Sequence, residues 1–345
     1  MPEAQEPFAS DLINAQGVPR YGVIEQPVGR VNYLDFDLRN AMDKPRHHLQ
    51  KHLGFNQFQF VGLTGPDFIG GIAVVNLKLV GNAFAYVYDF TTKRLEEFSY
   101  LMPGALGVQI PTTPDDGECR FRRGRTRFSI DAHAAVRSRD VRVQVPGQLE
   151  VLSQMREAPG FKPLRVCARA GYNGWVYTQK AAGLPVSGYI SSPRRRFELD
   201  ARCRASYDWS CGFMRRETAW NWSSLSLCLP DGRSLGLNLA AGVNETGVTE
   251  NALWLDSRLS RLDLAQFEFN RYQPDTAWRI RTADQRVDLE FQPLGARSEK
   301  MNVLLLATNF RQFFGYYRGV IIGPDGERIE LEQAPGVAED HYAKW

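Results

Sequence analysis

The chain has 345 residues, and at roughly 100–200 residues per domain this length predicts two domains. Hydrophobic residues make up 43% and charged residues 23%, a globular balance that excludes a disordered or fibrous chain. A net charge of +3, from 42 basic and 39 acidic side chains, argues against a nucleic-acid-binding face, and no stretch reaches the ~18 apolar residues of a membrane span.

The start, Met1-Pro2-Glu3-Ala4-Gln5-Glu6-Pro7, has neither the basic residues nor the apolar run of a signal peptide. Five scattered cysteines (Cys119, Cys167, Cys203, Cys211, Cys228) form no C-x-x-C pair. They read as free thiols of a cytoplasmic protein, with a Cys203–Cys211 disulfide as the alternative.

Residues 1–30, with Pro7, Pro19 and Pro27, are expected to form a loosely structured arm. A short helix is predicted over 43–53, capped by Asp43, tolerating Pro45 in its first turn and ended by Gly54. Leu49 and Leu53, one turn apart, are placed to dock on a core. Beyond Gly54 the hydrophobic period becomes two. Phe58-Gln59-Phe60-Val61 alternates, and strands over 72–80 and 84–90 flank a predicted turn at Gly81-Asn82. Further hairpins flank Gly124, Pro230-Asp231-Gly232, Ala283-Asp284-Gln285 and Gly323-Pro324-Asp325-Gly326. This rhythm predicts an all-β antiparallel meander that closes into a barrel or folds into a sandwich.

The two halves echo one another. Phe58-Gln59-Phe60 matches Trp220-Asn221-Trp222, Ala85-Tyr86-Val87-Tyr88-Asp89 matches Ala252-Leu253-Trp254-Leu255-Asp256, and Arg120-Phe121-Arg122 matches Arg279-Ile280-Arg281. Gly188-Tyr189-Ile190 and Asp208-Trp209 match Gly319-Val320-Ile321 and Asp340-His341. The offsets are 162, 167 and 159 residues and then 131, which places an insertion of about 30 residues in the first half, expected within Pro146–Tyr172. The alternative is that all hairpins look alike. The predicted division is an arm and short helix at 1–54, a first barrel at 55–212 and a second at 213–345.

The second half carries Asp208-Trp209-Ser210-Cys211-Gly212-Phe213, Arg215-Arg216-Glu217-Thr218-Ala219-Trp220-Asn221-Trp222, Gly236-Leu237-Asn238-Leu239, Glu250-Asn251-Ala252-Leu253-Trp254, Phe310-Arg311-Gln312-Phe313-Phe314-Gly315 and a terminal Gly336–Trp345 run. Together these resemble a bacterial domain-of-unknown-function family of lipocalin-like proteins, densely from about Gly188 onward and more thinly before Tyr172. The resemblance implies two tandem lipocalin-like (calycin) antiparallel β-barrels. More distantly the chain resembles the two-barrel group of carotenoid 1,2-hydratases, kievitone hydratase and lipocalin-like Diels-Alderases, which act on polyenes or terpenoids in a pocket. No catalytic role transfers residue by residue.

Asp208, Glu217, Asp340 and His341 are the candidate acid–base groups, because a carboxylate beside a histidine can move protons. Trp209, Arg216, Trp220, Trp222, Asn238, Asn244, Glu250, Asn251 and Glu339 are the candidate ligand contacts, the tryptophan faces suiting a cationic or polyene guest. The structural alternative is that Arg–Glu pairs and tryptophans lock barrel ends, with Asp208 and Asp340 at equivalent corners. His48 and His52 share a helix face without the acid or third ligand of a metal site, so no metal or cofactor is expected. Asp115, Asp116 and Glu118 read as a surface turn, and the Arg120–Arg127 and Arg194–Arg196 clusters as outward strand faces. No G-x-S-x-G elbow, phosphate loop or dinucleotide turn occurs. The function expected is binding of a small apolar ligand (lipid, isoprenoid or polyene). The alternatives are a cofactor-free lyase, hydratase or isomerase acting on it, and a structural or partner-binding module using the 1–54 arm. Oligomeric state is left open.

Overall fold

The computed structural model describes residues 11–243, 247–303 and 306–344. One curled sheet is built from β1 (Gly22–Val23), β2 (Asn56–Thr64), β3 (Phe68–Asn76), β4 (Val80–Asp89), β5 (Arg94–Pro103), β6 (Val108–Gln109), β7 (Gly117–Arg123), β8 (Thr126–His133), β9 (Ser138–Val145), β10 (Leu149–Arg156), β11 (Leu164–Ala170), β12 (Gly174–Ser191), β13 (Arg196–Leu199) and β14 (Arg204–Phe213). A second contains β15 (Glu217–Cys228), β16 (Ser234–Ala241), β17 (Ala252–Leu255), β18 (Arg258–Arg261), β19 (Ala265–Glu268), β20 (Trp278–Thr282), β21 (Val287–Val303), β22 (Leu306–Ile322) and β23 (Arg328–Lys344). The one α-helix among the described residues is α1 (His48–Gly54).

Each sheet curls into a lipocalin-like antiparallel half-barrel, in line with the period-two pattern and the resemblance. The first runs β5-β4-β3-β2-β14-β12-β10-β9-β8-β7-β6, with β1, β11 and β13 branching beside β12. The second runs β18-β17-β16-β15-β23-β22-β21-β20-β19. Successive side chains of a strand point to opposite faces, and this alternation builds three cores. Tyr207, Trp209 and Cys211 of β14 fill the first barrel with Val61, Leu63 and Tyr177. Leu225, Phe291, Phe313 and Ala338 fill the second. The opposite faces of β2–β4, β22 and β23 meet back to back, where Phe60, Ile69, Tyr86 and Tyr88 pack against Phe314 and Val337. Gly236 permits a close approach there: a Cβ on it would lie 2.3 Å from the carbonyl carbon of Ala182, at the bulge of β12.

The structure corrects several expectations. The described part of the N-terminal arm is packed, since Leu12, Val28 and Val31 are buried in the first barrel's core. The helix is shorter than predicted. Asp43 has φ 59° in a turn organised by the Asn40 side chain, and Pro45 bridges Arg39, so the helix starts only after His47. Leu49 and Leu53 of α1 are exposed rather than docked. The β3–β4 turn falls at Leu77-Lys78-Leu79, where Lys78 takes the left-handed conformation at φ 65°, rather than at Gly81-Asn82. Asp115, read as a surface residue, points inward and accepts from Gln179 at 2.6 Å, with buried Arg139 and Arg165 alongside. Arg120 and Arg122 do face outward, alternating with buried Cys119 and Phe121.

The duplication is visible in strand order, with two adjustments. Counting outward from β2–β14 and β15–β23, β20 and β21 correspond to β9 and β10 rather than to β7 and β8. The extra chain of the first half is therefore mainly the β6–β7 region, not Pro146–Tyr172. A smaller surplus lies where β10 and β11 together pair along β12, as the single β21 pairs along β22. Register also shifts the corner match. Phe60 and Trp222, aligned by the repeat, face Asp208 and Glu339 respectively. Asp208 thus corresponds to Glu339, and Trp209 to Asp340.

Candidate functional site at the seam between the barrels

Between the back-to-back sheets lie two polar clusters joined by an aromatic slot. In the first cluster Lys180 of β12 reaches across the seam. Its Nζ lies 2.6 Å from Asp208 Oδ2 on β14 and 3.1 Å from Glu250 Oε2, which precedes β17. Thr178 and Ser210 donate to Asp208 Oδ1 at 3.2 and 2.6 Å. Burial alone would depress the Lys180 ammonium, but Asp208 and Glu250 outweigh it and hold the group above the ordinary lysine value. The backbone carbonyl of Glu250 accepts from Asn238 Nδ2 at 2.6 Å, and Asn238 Oδ1 accepts from the Trp222 indole at 2.8 Å.

The second cluster surrounds Arg297 of β21. Its guanidinium pairs with Glu97 of β5 through Nε at 2.9 Å. It also lies over the rings of Phe84, Tyr86 and Phe310, at 4.2, 4.9 and 4.9 Å from their centroids. Glu339 of β23 accepts from the Trp220 indole at 3.0 Å and from Gln312 Nε2 at 3.2 Å. His341 packs against Trp220 at a tilt of 49°, with ring centroids 4.1 Å apart, and its Nε2 lies 3.0 Å from Thr308 Oγ1. Three buried atoms here have no hydrogen-bond partner among the described residues: Tyr86 Oη, Arg297 Nη1 and Gln312 Oε1. Burial pushes the Tyr86 hydroxyl well above the ordinary tyrosine range, with Arg297 opposing and Glu339 and Glu97 reinforcing the shift. The slot between the clusters is lined by Phe60, Ile69, Tyr86, Trp222, Ser206 and Ser224, and holds a void of about 20 Å³, room for a single small group.

Asp208, Trp220, Trp222, Asn238, Glu250, Glu339 and His341 therefore come to this seam. The other sequence candidates do not. Trp209 alternates away from Asp208 into the first barrel, fully buried. Asp340 likewise turns from Glu339 and His341 and is bound by Arg271 at 2.7 and 2.8 Å. Glu217 sits exposed at the start of β15, lowered below its ordinary value by its bonds to Lys344 and Tyr342. Arg216 is exposed in the preceding loop. Asn251 is buried but spent on backbone groups of Ala240 and Asp263, and Asn244 lies outside the described residues. Trp254, of the Glu250–Trp254 motif, stacks with Phe161 and donates to the Lys162 carbonyl of the first barrel. Sequence reasoning missed Tyr86, Lys180, Arg297 and Gln312. The signal for Lys180 was a charge directly before the apolar Ala181–Leu184 run, whereas Arg297 lies in a polar stretch that hides it.

The domain-of-unknown-function family DUF2804 matches residues 3–345, and the chain belongs to that family. No curated protein matches it. Among solved structures it is similar to CghA, at a TM-score of 0.58 and 10% identity over 96% of each chain. It is also similar to CghA with Sch210972, at 0.53 and 11% over 96% of each. Kievitone hydratase from Nectria haematococca matches at 0.49 and 9% identity over 98% of each chain. The two CghA likenesses show the shared lipocalin-like fold.

Proposed function

We propose that the protein binds a small, largely apolar molecule at the seam between its barrels, with an oxygen-bearing end group received by Tyr86, Arg297 and Gln312. The observation that carries this is the set of three buried polar atoms without partners among the described residues. Each costs about 1–3 kcal/mol to bury unpaired. A sequence selected only to weld two barrels would do better with phenylalanine at Tyr86. An end group that accepts from Tyr86 Oη and Arg297 Nη1 and donates to Gln312 Oε1 converts that cost into affinity. A hydroxyl or carboxylic acid on a lipid, isoprenoid or polyene meets the description. Half-buried Phe84, Phe310 and Trp220 supply apolar contact for its body outside the small slot. The fold admits a guest elsewhere, since CghA has been solved with Sch210972.

The test is a pair of measurements on Tyr86→Phe. Its melting temperature should stay level or rise, because only an unpaired hydroxyl is removed. Its affinity for a polyene alcohol probe such as retinol, read by tryptophan quenching, should fall roughly tenfold, the scale of one buried hydrogen bond. Undiminished affinity in Tyr86→Phe and in Trp222→Leu would sink the reading. A catalytic version is favoured by one contact: His341 Nδ1 lies 3.5 Å from Glu339 Oε1 beside the half-open Trp220–Phe310 mouth. Such a pair can pass a proton to or from a bound alkene or alcohol without a cofactor. If native mass spectrometry yields a ligand, Glu339→Gln should abolish its conversion and leave its binding.

A further inference from the structure

A second concavity, unrelated to the seam reading, opens where the first barrel's β11 edge meets the β17–β18 hairpin of the second. Its volume is about 390 Å³, within the range of small-molecule sites. Four of its lining residues are cationic: Lys162, Arg165, Arg258 and Arg261. Glu25 is its one carboxylate. Arg165 forms a fixed floor. It is 7% exposed, donates from Nε to Gln179 at 2.8 Å and from Nη1 to the Glu25 carbonyl at 3.2 Å, and has Asp115 at 3.7 Å. Arg258 is balanced outside by Asp325 at 2.6 Å. Lys162 and Arg261 are exposed and carry no ion pair among the described residues. The remaining wall is mainly apolar, from Val23, Ile24, Pro163, Leu164 and Leu259, with Gly160 and Ser257 beside them. Two other contacts hold the cleft's sides together: the Trp254 indole on the Lys162 carbonyl at 3.0 Å, and the Ile24 amide on the Arg165 carbonyl at 2.9 Å.

We propose that this cleft binds a small amphipathic anion, whose carboxylate or phosphate is drawn by Lys162 and Arg261 while a short apolar body lies on Val23 and Leu259. Opposite charges at the mouth attract such a ligand, and salt screens the attraction. The apolar wall makes a fully hydrated inorganic ion a poorer guest than an acyl or prenyl anion of similar reach. Glu25 opposes the anion, so its neutralisation has the opposite sign from loss of the lysine and arginine.

The experiment is calorimetric titration of the full chain with octanoate and octyl phosphate, with octanol as the neutral control. At least one anion should bind in the millimolar range or tighter, at least about tenfold better than octanol, and more weakly as salt rises. The stronger of the two identifies the head group. Lys162→Glu combined with Arg261→Glu should weaken that anion by about tenfold or more, and Glu25→Gln should tighten it a few-fold. Both changes are on exposed side chains, so melting temperature should hold. Octanol binding as well as the anions, undiminished binding in the double variant, or no binding of either anion at millimolar concentration would overturn the proposal.

Discussion

Lys180 is a residue whose removal should hurt more than its presence helps. A buried ion pair returns little net stability, because desolvation offsets the Coulomb gain, but deleting one partner strands the others. Lys180→Met leaves Asp208 and Glu250 buried without their shared cation, and should cost about 3–5 kcal/mol in urea unfolding at neutral pH. The pH dependence has a definite sign. The folded value of Lys180 is raised, so its stabilisation is complete below the ordinary lysine value of about 10.4 and is lost as pH rises through the higher folded value. The gap between wild type and variant should therefore persist through neutrality and narrow as the pH rises into strongly alkaline buffer. The cysteines give a second residue-scale expectation. Burial raises Cys119, Cys167 and Cys211, and pushes Cys203 up to about 11. The thiolate is the reactive form, so iodoacetamide on the native chain should label half-buried Cys228 first, and the other four only after denaturation. Early labelling of Cys211 would show that the seam-side strand β14 opens readily. Glu339, His341 and Trp222 were legible in the sequence as candidates. The face each side chain takes was not: Asp340 and Glu339 are neighbours in sequence, and one step along a strand sends them to opposite sides.

The hairpins were readable because their turns carry chemistry of their own. Gly124, at φ 60°, and Gly232, at φ 88°, occupy backbone that favours glycine, and both loops fall where glycine and proline predicted them. The β3–β4 turn was misplaced because Lys78 takes a left-handed conformation that glycine or asparagine more often marks. Strand faces were harder. β2 is buried along nearly its whole length, one face in the barrel and the other in the seam, so its pattern reads as a continuous apolar run and hides the second interface. The element that makes that interface possible is glycine-dependent. Gly236 lets β16 approach the β12 bulge, and a methyl group there would meet backbone at 2.3 Å. Backbone cannot rotate aside as a side chain can, so Gly236→Ala should force the sheets apart and cost about 1–3 kcal/mol. Calorimetry should record a melting temperature lower by several degrees. An unchanged value would mean that the two sheets slide freely against each other.

At the scale of the whole molecule, the seam decides whether the proposed division at 212/213 separates two independent folding units. Rings from both sides interleave: Tyr88 stacks on Phe314 at 4.8 Å and Phe90 on Tyr316 at 4.7 Å. Polar ties cross as well, from Tyr88 Oη to the Leu294 carbonyl at 3.0 Å, and from Lys180 to Glu250 at 3.1 Å. Cutting the chain there leaves Trp222, Phe314 and Val337 of the second sheet without apolar cover, and each large side chain exposed forfeits about 1.5–3 kcal/mol. A domain's net stability is only about 5–15 kcal/mol, so a handful of such losses removes most of it. The full chain should therefore unfold in one transition, with tryptophan fluorescence and far-ultraviolet dichroism superimposing. The 213–345 fragment alone should bind a hydrophobic dye and aggregate, and co-expression with 1–212 should restore solubility and a single transition. A fragment that melts cooperatively by itself, at the temperature of the full chain, would show that the seam adds nothing to stability. The seam's aromatic residues would then be free to part for a ligand at little cost.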